Sequence, residues 1–226
     1  MTDTGCSLCV ELAGGPSQEL IEASAGNTVG RVAWRDGDFV LLPSLGQLSR
    51  THLLLLPTQH ITSLAALPSE ATRHVAQIMN AVRRLVQSDA KHLVAFEHGI
   101  GTRPDRQGGC GVSHAHLHLV AVDTRDPFMH PPAGGDFEWR SVNGIQAFEN
   151  LDPNDDYLLY ENPEGLAFVS CVRELPSQFM RKWMAEALAL ASWDWRRARD
   201  GVVVSERAAQ LLDPLTALLD QPAVSV

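Results

Sequence analysis

The first half of the chain alternates polar and apolar residues before it turns to a helical pattern. Residues 30–35 alternate and predict a strand, Asp36-Gly37-Asp38 is a hairpin signal, and residues 39–42 predict the returning strand. The apolar run of residues 52–56 ends at Pro57 and predicts a buried strand. Residues 1–28 predict irregular chain apart from a helical turn at 18–25.

A helix is predicted from Ser69, which can cap its first turn. Its apolar residues fall on one face, as in Val75, Ile78, Met79, Val82, Leu85 and Val86. A strand at 93–96 follows, then a glycine-rich loop at 99–111 and a strand at about 114–122.

The second half begins with a stretch rich in proline and glycine, residues 124–156, which is the best candidate for a boundary. Strands are predicted at 157–161 and 166–172. Ser177 and Ser205 can each cap a further helix, and Pro214 is expected to break or restart the last one. The order of elements favours a mixed α+β layer structure with two parts, residues 1–123 and 124–226.

Composition limits the classes of function. The 226 residues include 18 basic and 27 acidic side chains, a net charge of −9. We therefore expect no general grip on nucleic acid and no membrane binding, although a local basic pocket for a phosphate is compatible with this charge. Four cysteines do not make a disulfide scaffold, and no signal peptide or spanning run is evident, so a cytoplasmic protein is expected.

Three histidines at alternate positions are the most informative pattern. His114, His116 and His118 would share one face of a strand, while Ala115, Leu117 and Leu119 would point to a core. Three interpretations compete: a solvated polar face, a mononuclear metal site, and nucleophilic catalysis at phosphorus. The residues after His118 supply no acidic ligand of the kind that common three-histidine metal sites use.

Nucleophilic catalysis suits an imidazole, because it is a good nucleophile in its neutral form near physiological pH. A neighbouring histidine on the same face can hold a phosphoryl oxygen or steer protons. Gly108, Gly109 and Gly111 let backbone N–H groups approach an anionic phosphate.

With these residues the chain resembles the histidine-triad (HIT) superfamily of nucleotide hydrolases and transferases. The resemblance covers about Cys6 to Val122 and includes the apolar run that ends in Pro57-Thr58-Gln59-His60. It implies an antiparallel sheet flanked by helices, here with an α/β C-terminal extension. It also implies a nucleotide substrate and a homodimer.

By the same resemblance, His116 is the nucleophile and forms a covalent phospho- or nucleotidyl-histidine. His118 would contact the phosphate, and His114 completes the triad. The loop before them would neutralise charge on the phosphoryl oxygens, through the backbone of Gly109, Cys110, Gly111 and Ser113.

The chain departs from the common family pattern at two substrate positions. Ser44 stands where small nucleotide hydrolases of the family carry an aspartate for the ribose hydroxyls, and Gly111 replaces a serine at the phosphate. Phe96-Glu97-His98-Gly99 looks closer to the galactose-1-phosphate uridylyltransferase branch, which however has Gln in place of His118. Glu97 and His98 border the expected site; both could bind substrate, or Glu97 could orient a histidine.

Cys6 and Cys9 form a lone C-x-x-C, which is half a zinc site or two ordinary thiols. The resemblance implies structural Zn²⁺ held by Cys6, Cys9, His60 and His114. In the alternative, His60 and His114 flank the substrate, as in members without zinc.

The C-terminal third exceeds what small HIT hydrolases need. Gln178, Arg181 and Lys182 lie where a helix opens, which predicts either an anion site or a solvated helix face. We expect this extension to cover the site and to select the acceptor.

The resemblance implies a hydrolase or nucleotidyltransferase acting on a phosphoanhydride, phosphoramidate or nucleotide-sugar linkage. Two alternatives stay open. One is a nucleotide-binding regulatory protein with little turnover. The other is a metal-dependent enzyme that uses the three triad histidines as ligands.

Overall fold

Eight strands form one antiparallel sheet in the computed structural model, which describes residues 5–27, 29–102, 112–133, 137–172 and 177–219. The strands are β1 (Trp34–Arg35), β2 (Phe39–Pro43), β3 (His52–Pro57), β4 (His92–Gly99), β5 (Leu117–Val122), β6 (Arg140–Val142), β7 (Tyr157–Glu161) and β8 (Ala167–Cys171). Their order across the sheet is β1-β2-β3-β5-β4-β7-β8-β6. The expected α+β class with an antiparallel sheet is confirmed.

Five α-helices within the described ranges flank the sheet: α1 (Ser7–Leu12), α2 (Gln18–Ala23), α3 (Ser69–Ser88), α4 (Phe179–Ala187) and α5 (Gly201–Leu219). The largest core cluster packs α3 and α5 against one sheet face. On the other face, α4 covers β4, β5 and β7, and α1 covers β2 and β3. No helix in these ranges combines the length and the apolar character needed to cross a membrane.

The two-residue repeat of each strand decides which side chains reach the site. In β5, Leu117 and Leu119 join the core under α3, whereas His118 and Val120 face the side of α1 and α4. In β4, Ala95 joins the α3 side and Phe96 joins the α4 side.

Two predicted strands begin several residues later than expected. The strand expected at residues 30–35 is reduced to β1. The strand expected from His114 begins only at Leu117, because the backbone N–H of Ala115 donates to the carbonyl of Ile61 at 2.7 Å instead of joining the ladder. The three triad histidines therefore do not share one strand face.

The helix starts also differ from the predicted caps. Pro68 occupies the N-cap position of α3 in place of Ser69, and Gln178 occupies that of α4 in place of Ser177. Helix α5 begins at Gly201, before Ser205, and continues through Pro214. The burial of Val204, Ala208, Leu211 and Leu215 against the core outweighs the backbone hydrogen bond that Pro214 cannot make.

Residues on both sides of position 123 contribute to the same sheet. Strand β7 pairs with β4 from Ala95↔Glu161 to Gly99↔Tyr157, and β8 pairs with β7. Helix α4 then returns over the sheet face that carries His118. The division of the chain at 123/124 stays a prediction.

Candidate active site and metal centre

A pocket opens on the sheet face covered by α1 and α4. Its lining includes His98, His116 and His118 from the sheet side and Arg31, Ser44 and Arg181 opposite them. The fold thus brings residues from the N-terminal segment, the centre and the C-terminal extension around the predicted nucleophile.

His116 is half-buried, and its ring is oriented by its own neighbour. Nδ1 lies 2.7 Å from the carbonyl oxygen of His114, so Nδ1 carries the proton and donates. Burial, with smaller effects of His98, Arg181 and Arg31, lowers the pKa of His116. The ring is therefore neutral at pH 7, with its lone pair on Nε2.

His118 and His52 form a buried pair beside His116. Nε2 of His52 lies 2.9 Å from Nδ1 of His118, and the backbone N–H of Leu48 donates to Nδ1 of His52 at 3.1 Å. Burial is the main reason why both histidines have a pKa well below the usual value. Both rings are neutral, and the donor at Leu48 fixes which nitrogen of each holds the proton.

Phe96 and His98 on β4 shape the floor of the pocket. The ring of Phe96 stacks on that of His118, with centroids 4.4 Å apart and an interplanar angle of 15°. Burial lowers the pKa of His98 to about 4, against an opposing effect of Asp156. His98 therefore lines the predicted site as a neutral ring.

Glu97 lies on the opposite face of β4, away from the pocket. Tyr157 Oη donates to its Oε2 at 2.5 Å, and the backbone N–H of Leu64 donates to its Oε1 at 2.9 Å. Burial raises the pKa of Glu97 to about 8. Of the two neighbours, only His98 reaches the pocket; Glu97 supports the sheet from behind.

A buried ion pair forms another part of the pocket wall. Nε of Arg31 donates to Oε2 of Glu11 at 2.7 Å, and Nη2 donates to Oε1 at 3.0 Å. Ser17 Oγ also donates to Glu11, at 2.7 Å. The charge of Arg31 is thus matched within the protein.

Ser44 and Arg181 meet at the far wall. Nη1 of Arg181 donates to Ser44 Oγ at 3.1 Å, and this hydroxyl donates to the carbonyl of Leu45 at 3.0 Å. The Ser44 hydroxyl is therefore held by protein groups, and the guanidinium is the polar group that this wall offers.

The other predicted residues of the extension take different positions. Gln178 is buried and adopts a left-handed backbone with φ 59°, and its Nε2 donates to Asp194 at 2.8 Å. Lys182 points outward, more than half exposed, and lies 4.0 Å from Glu186. The predicted anion site is thus divided, with Arg181 at the pocket and Lys182 in solvent.

Gly109, Cys110 and Gly111, predicted to hold the phosphate, lie outside the described residues. Ser113, the last residue of that predicted set, is exposed next to His114.

The C-x-x-C pair meets two histidines at the other end of β3. The ligand atoms of Cys6, Cys9, His60 and His114 all lie within 4.8 Å of one another. Cys9 Sγ is 3.2 Å from Nδ1 of His60 and 3.4 Å from Nδ1 of His114. Cys6 caps α1 and Cys9 lies within it, so one short helix presents both sulfurs.

The chemistry of this cluster fits a tetrahedral metal ion. Bond lengths typical of zinc place sulfur and nitrogen ligands about 3.5 Å apart. Nε2 of His114 donates to the carbonyl of Pro57 at 2.8 Å, which leaves Nδ1 with its lone pair toward the sulfurs. Burial raises the pKa of Cys6 to about 11, so a thiolate at Cys6 needs a cation beside it.

The three triad rings do not converge on one point. The ring of His114 belongs to the cysteine cluster, Nδ1 of His116 is engaged by a carbonyl, and Nδ1 of His118 is engaged by His52. This geometry does not favour a metal ion shared by all three.

Sequence reasoning missed His52 and the Arg31–Glu11 pair. His52 could have been found as a histidine at the start of a fully apolar strand, since a polar group there needs a buried partner. Nothing in the sequence links Arg31 to Glu11, because the pair depends on how α1 packs.

Comparisons of the sequence with known proteins indicate its family. Residues 19–132 match the family model described as "Scavenger mRNA decapping enzyme C-term binding". Zebrafish (Danio rerio) aprataxin is 29% identical over 97 residues, which are 42% of this chain and 28% of aprataxin. The chain therefore spans little more than a quarter of that relative's length.

Solved structures similar to this chain include two histidine-triad proteins. One, zinc-bound, is from Mycobacterium smegmatis, with 20% identity, coverage of 45% of this chain and 71% of that one, and a TM-score of 0.31. The other is from Clostridium difficile, with 16% identity, coverage of 59% and 100%, and a TM-score of 0.34.

The family model covers half of the chain, including β1 to β5 and all three triad histidines. The chain belongs to the histidine-triad superfamily.

Proposed function

We propose that this protein is a HIT-family hydrolase or nucleotidyltransferase that cleaves a phosphorus–oxygen or phosphorus–nitrogen bond through a covalent intermediate on His116. The observation that carries the proposal is the 2.7 Å hydrogen bond from Nδ1 of His116 to the carbonyl of His114. It assigns the proton to Nδ1 and the nucleophilic lone pair to Nε2.

The hydrogen bonds around His118 make its Nε2 a donor, whereas Nε2 of His116 carries a lone pair. The Leu48 N–H occupies Nδ1 of His52, so His52 carries its proton on Nε2 and donates it to Nδ1 of His118. His118 then keeps its own proton on Nε2, as a donor. This donor can bind an oxygen of the phosphoryl group while His116 attacks.

In the first half-reaction, the lone pair of His116 Nε2 forms a bond to phosphorus. The bond from phosphorus to the leaving oxygen or nitrogen breaks, and that atom departs with the electron pair and takes a proton from water. In the second, an acceptor hydroxyl attacks the same phosphorus and releases its proton to solvent. The bond to Nε2 breaks, and His116 recovers its lone pair.

The Cys6, Cys9, His60 and His114 cluster supports a structural zinc site. A zinc ion there would hold α1 and the end of β3 close to His114. His114 in turn positions His116, because its carbonyl oxygen accepts the hydrogen bond from Nδ1 of His116. All four ligands come from the protein, so no catalytic step is assigned to the metal.

The substrate we propose is a nucleotide-linked phosphate. The matched family model names an mRNA decapping enzyme, so the expectation that nucleic acid is excluded is not carried forward. A capped dinucleotide is therefore tested as a donor together with the free nucleotides.

The test is intact-mass spectrometry of the whole protein after a quench that avoids acid. The donors are dinucleoside polyphosphates, nucleotide sugars, adenosine phosphoramidate and a capped dinucleotide. We expect a nucleotidyl adduct that is absent in His116→Ala and His116→Gly. His130→Ala, which changes an exposed histidine, is the matched control and should keep the adduct.

Donor consumption without any adduct would overturn the covalent mechanism. Neither adduct nor consumption with any donor would favour a binding protein with little turnover.

A further inference from the structure

Arg181 is a buried cation without a carboxylate at ion-pair distance among the described residues. Only 4% of its surface is exposed, yet it lines the pocket of His116. Its donors reach Ser44 Oγ and the carbonyl of Trp193, both at 3.1 Å. Nη2 donates to the carbonyls of Leu45, at 3.4 Å, and Gly46.

Among the described residues, the two carboxylates that act on Arg181 have hydrogen-bond partners of their own. Asp194 accepts from Nε2 of Gln178 at 2.8 Å, and Asp200 accepts from the backbone N–H groups of Gly46 and Gln47, both at 3.2 Å. Both carboxylates favour the charged form of Arg181, but burial outweighs them and lowers its pKa to about 10. Arg31, in the same pocket, is by contrast paired directly with Glu11.

The guanidinium is held rigidly in this position. Gly46 has φ +60°, and a Cβ there would lie 2.9 Å from Cα of Trp195 and 3.1 Å from Nη2 of Arg181. The loop at Gly46 and the segment at Trp195 therefore clamp the guanidinium by close backbone packing. Four of the five N–H donors of a guanidinium are used, which leaves one on Nη1.

Resting on the proposed function, we infer that Arg181 is a second anion subsite and that the preferred substrate carries another phosphate besides the one His116 attacks. A buried cation costs free energy unless an anion pairs with it. No carboxylate among the described residues forms an ion pair with Arg181, so a phosphate of the substrate would supply that anion. A guanidinium at the pocket wall suits a phosphate because its positive charge strengthens the hydrogen bond that the remaining N–H on Nη1 can donate to a phosphoryl oxygen.

The second phosphate can come from two chemical sources. It is either the next phosphate along a polyphosphate chain or a phosphate on the sugar of the nucleotide. Adenosine 5′-monophosphate, adenosine 5′-diphosphate and adenosine 3′,5′-bisphosphate separate the sources, because each diphosphorylated compound adds one phosphate at one place.

Isothermal titration of the wild-type chain with these three compounds measures the affinity for each one directly. We expect one diphosphorylated compound to bind at least about tenfold more tightly than the monophosphate, as one charge-assisted contact predicts. In Arg181→Gln this advantage should fall below about threefold, while binding of the monophosphate stays within the same factor. Arg73→Gln, an exposed arginine on α3, is the matched control and should keep the advantage.

Equal binding of all three compounds by the wild-type chain would overturn the inference, whatever the variants do. If Arg181→Gln does not fold, as its circular dichroism and melting curve would show, Arg181→Lys replaces it. Lysine keeps the charge but cannot make the hydrogen bonds that hold the guanidinium at the wall, so it should lose part of the advantage. An unchanged advantage in a folded Arg181→Gln chain would also overturn the inference.

The outcome is separable from that of the proposed function. A bisphosphate preference without a His116 adduct would reject the covalent mechanism and keep the subsite. An adduct without the preference would do the reverse.

Discussion

His52 and His118 are joined by a 2.9 Å contact between Nε2 and Nδ1, and the N–H of Leu48 sets its direction. Because the N–H of Leu48 occupies Nδ1 of His52, His52 donates from Nε2 to Nδ1 of His118, and the proton of His118 stays on its Nε2. His52 is fully buried, so in the proposed reaction it would act only through His118, as a positioning residue.

Replacing His52 should separate positioning from packing. His52→Gln can still donate an N–H to His118, so we expect most of the adduct formation rate to remain. His52→Leu leaves Nδ1 of His118 without its donor, and the rate should fall ~100-fold, the size of a positioned acid–base contribution. Rapid-quench mass spectrometry measures both rates.

A merely structural role of His52 would lower the melting temperature of both variants and leave the rates of the folded chains equal. That result would contradict the proposed role. The pH dependence of the adduct formation rate is a second readout. Only a mispositioned His118 should change the acidic side of this profile.

Buried neutral histidines predict that the fold weakens in acid. The pKa of His52 and of His118 lies well below the ordinary value of 6.5 in the folded chain. Below pH 6.5 the two histidines bind protons in the unfolded chain and stay neutral in the folded chain. The free energy of unfolding therefore decreases as pH falls from 6.5 toward the folded pKa. Each group contributes a slope of about 1.4 kcal/mol per pH unit in that window.

Urea unfolding between pH 8 and pH 5 measures this slope. His52→Gln removes one titrating group and should flatten the slope by about 1.4 kcal/mol per pH unit. The same slope in both chains would show that His52 does not titrate in this way.

The cysteine cluster predicts a loss of stability on chelation. Helix α1 has only six residues, too few to be stable alone, and its cysteines anchor it to β3 and the triad. Removing bound zinc, or Cys9→Ala, should lower the melting temperature by at least about 5 °C, or roughly 2 kcal/mol. Cys171→Ala changes an exposed thiol and should have little effect.

Metal analysis of the purified chain accompanies this measurement. One zinc ion per chain that is lost in Cys9→Ala supports the site. A wild-type chain that binds no zinc when titrated would contradict it.

The sequence predicted the sheet better than the site. Strands β2, β3 and β4 are clear in the hydrophobic pattern because nearly all of their residues are buried. Helix α3 is clear because its apolar residues repeat on one buried face. The start of β5 was wrong, since the bond from Ala115 to Ile61 is a contact between distant segments. Helix caps failed for a related reason: packing, not the nearest serine, fixed where α3, α4 and α5 begin.

Site residues were predictable where chemistry is local in sequence. The histidine pattern and the C-x-x-C are local, and the structure brings both to defined clusters. Arg181 was predicted only as part of a helix opening, whereas its burial against Ser44 depends on the whole C-terminal segment. The predicted role of Glu97 near substrate overlooked that adjacent strand residues face opposite sides.

Glu97 predicts a pH effect of the opposite sign. Its pKa is about 8 in the folded chain against an ordinary value of 4.5, so the folded chain holds a proton that the unfolded chain releases. The stability from this group is present below pH 4.5 and is lost as pH rises toward 8. Glu97→Gln stays neutral, so it should stabilise the chain at pH 8.5 relative to wild type and not at pH 5.

Urea unfolding at both pH values tests this difference, with the exposed Glu206→Gln as control. Equal destabilisation of Glu97→Gln at the two values would mean that Glu97 is ionised throughout the range.

Gly99, at the end of β4, leaves room for the ring of Tyr157, which packs behind the sheet. A Cβ at this position would lie 2.2 Å from Cε1 of Tyr157, and that ring is buried and bonded to Glu97. Gly99→Ala must therefore displace the ring or the strand, at a cost of about 1–3 kcal/mol. Gly37→Ala, where nothing lies within 4 Å, should change stability far less.

The displacement should also reach the pocket, because His98 precedes Gly99 and lines it. We expect Gly99→Ala to slow adduct formation as well as to lower the midpoint of urea unfolding. A stable Gly99→Ala chain with an unchanged rate would show that the ring moves without the strand. The support from Tyr157 would then be independent of the site.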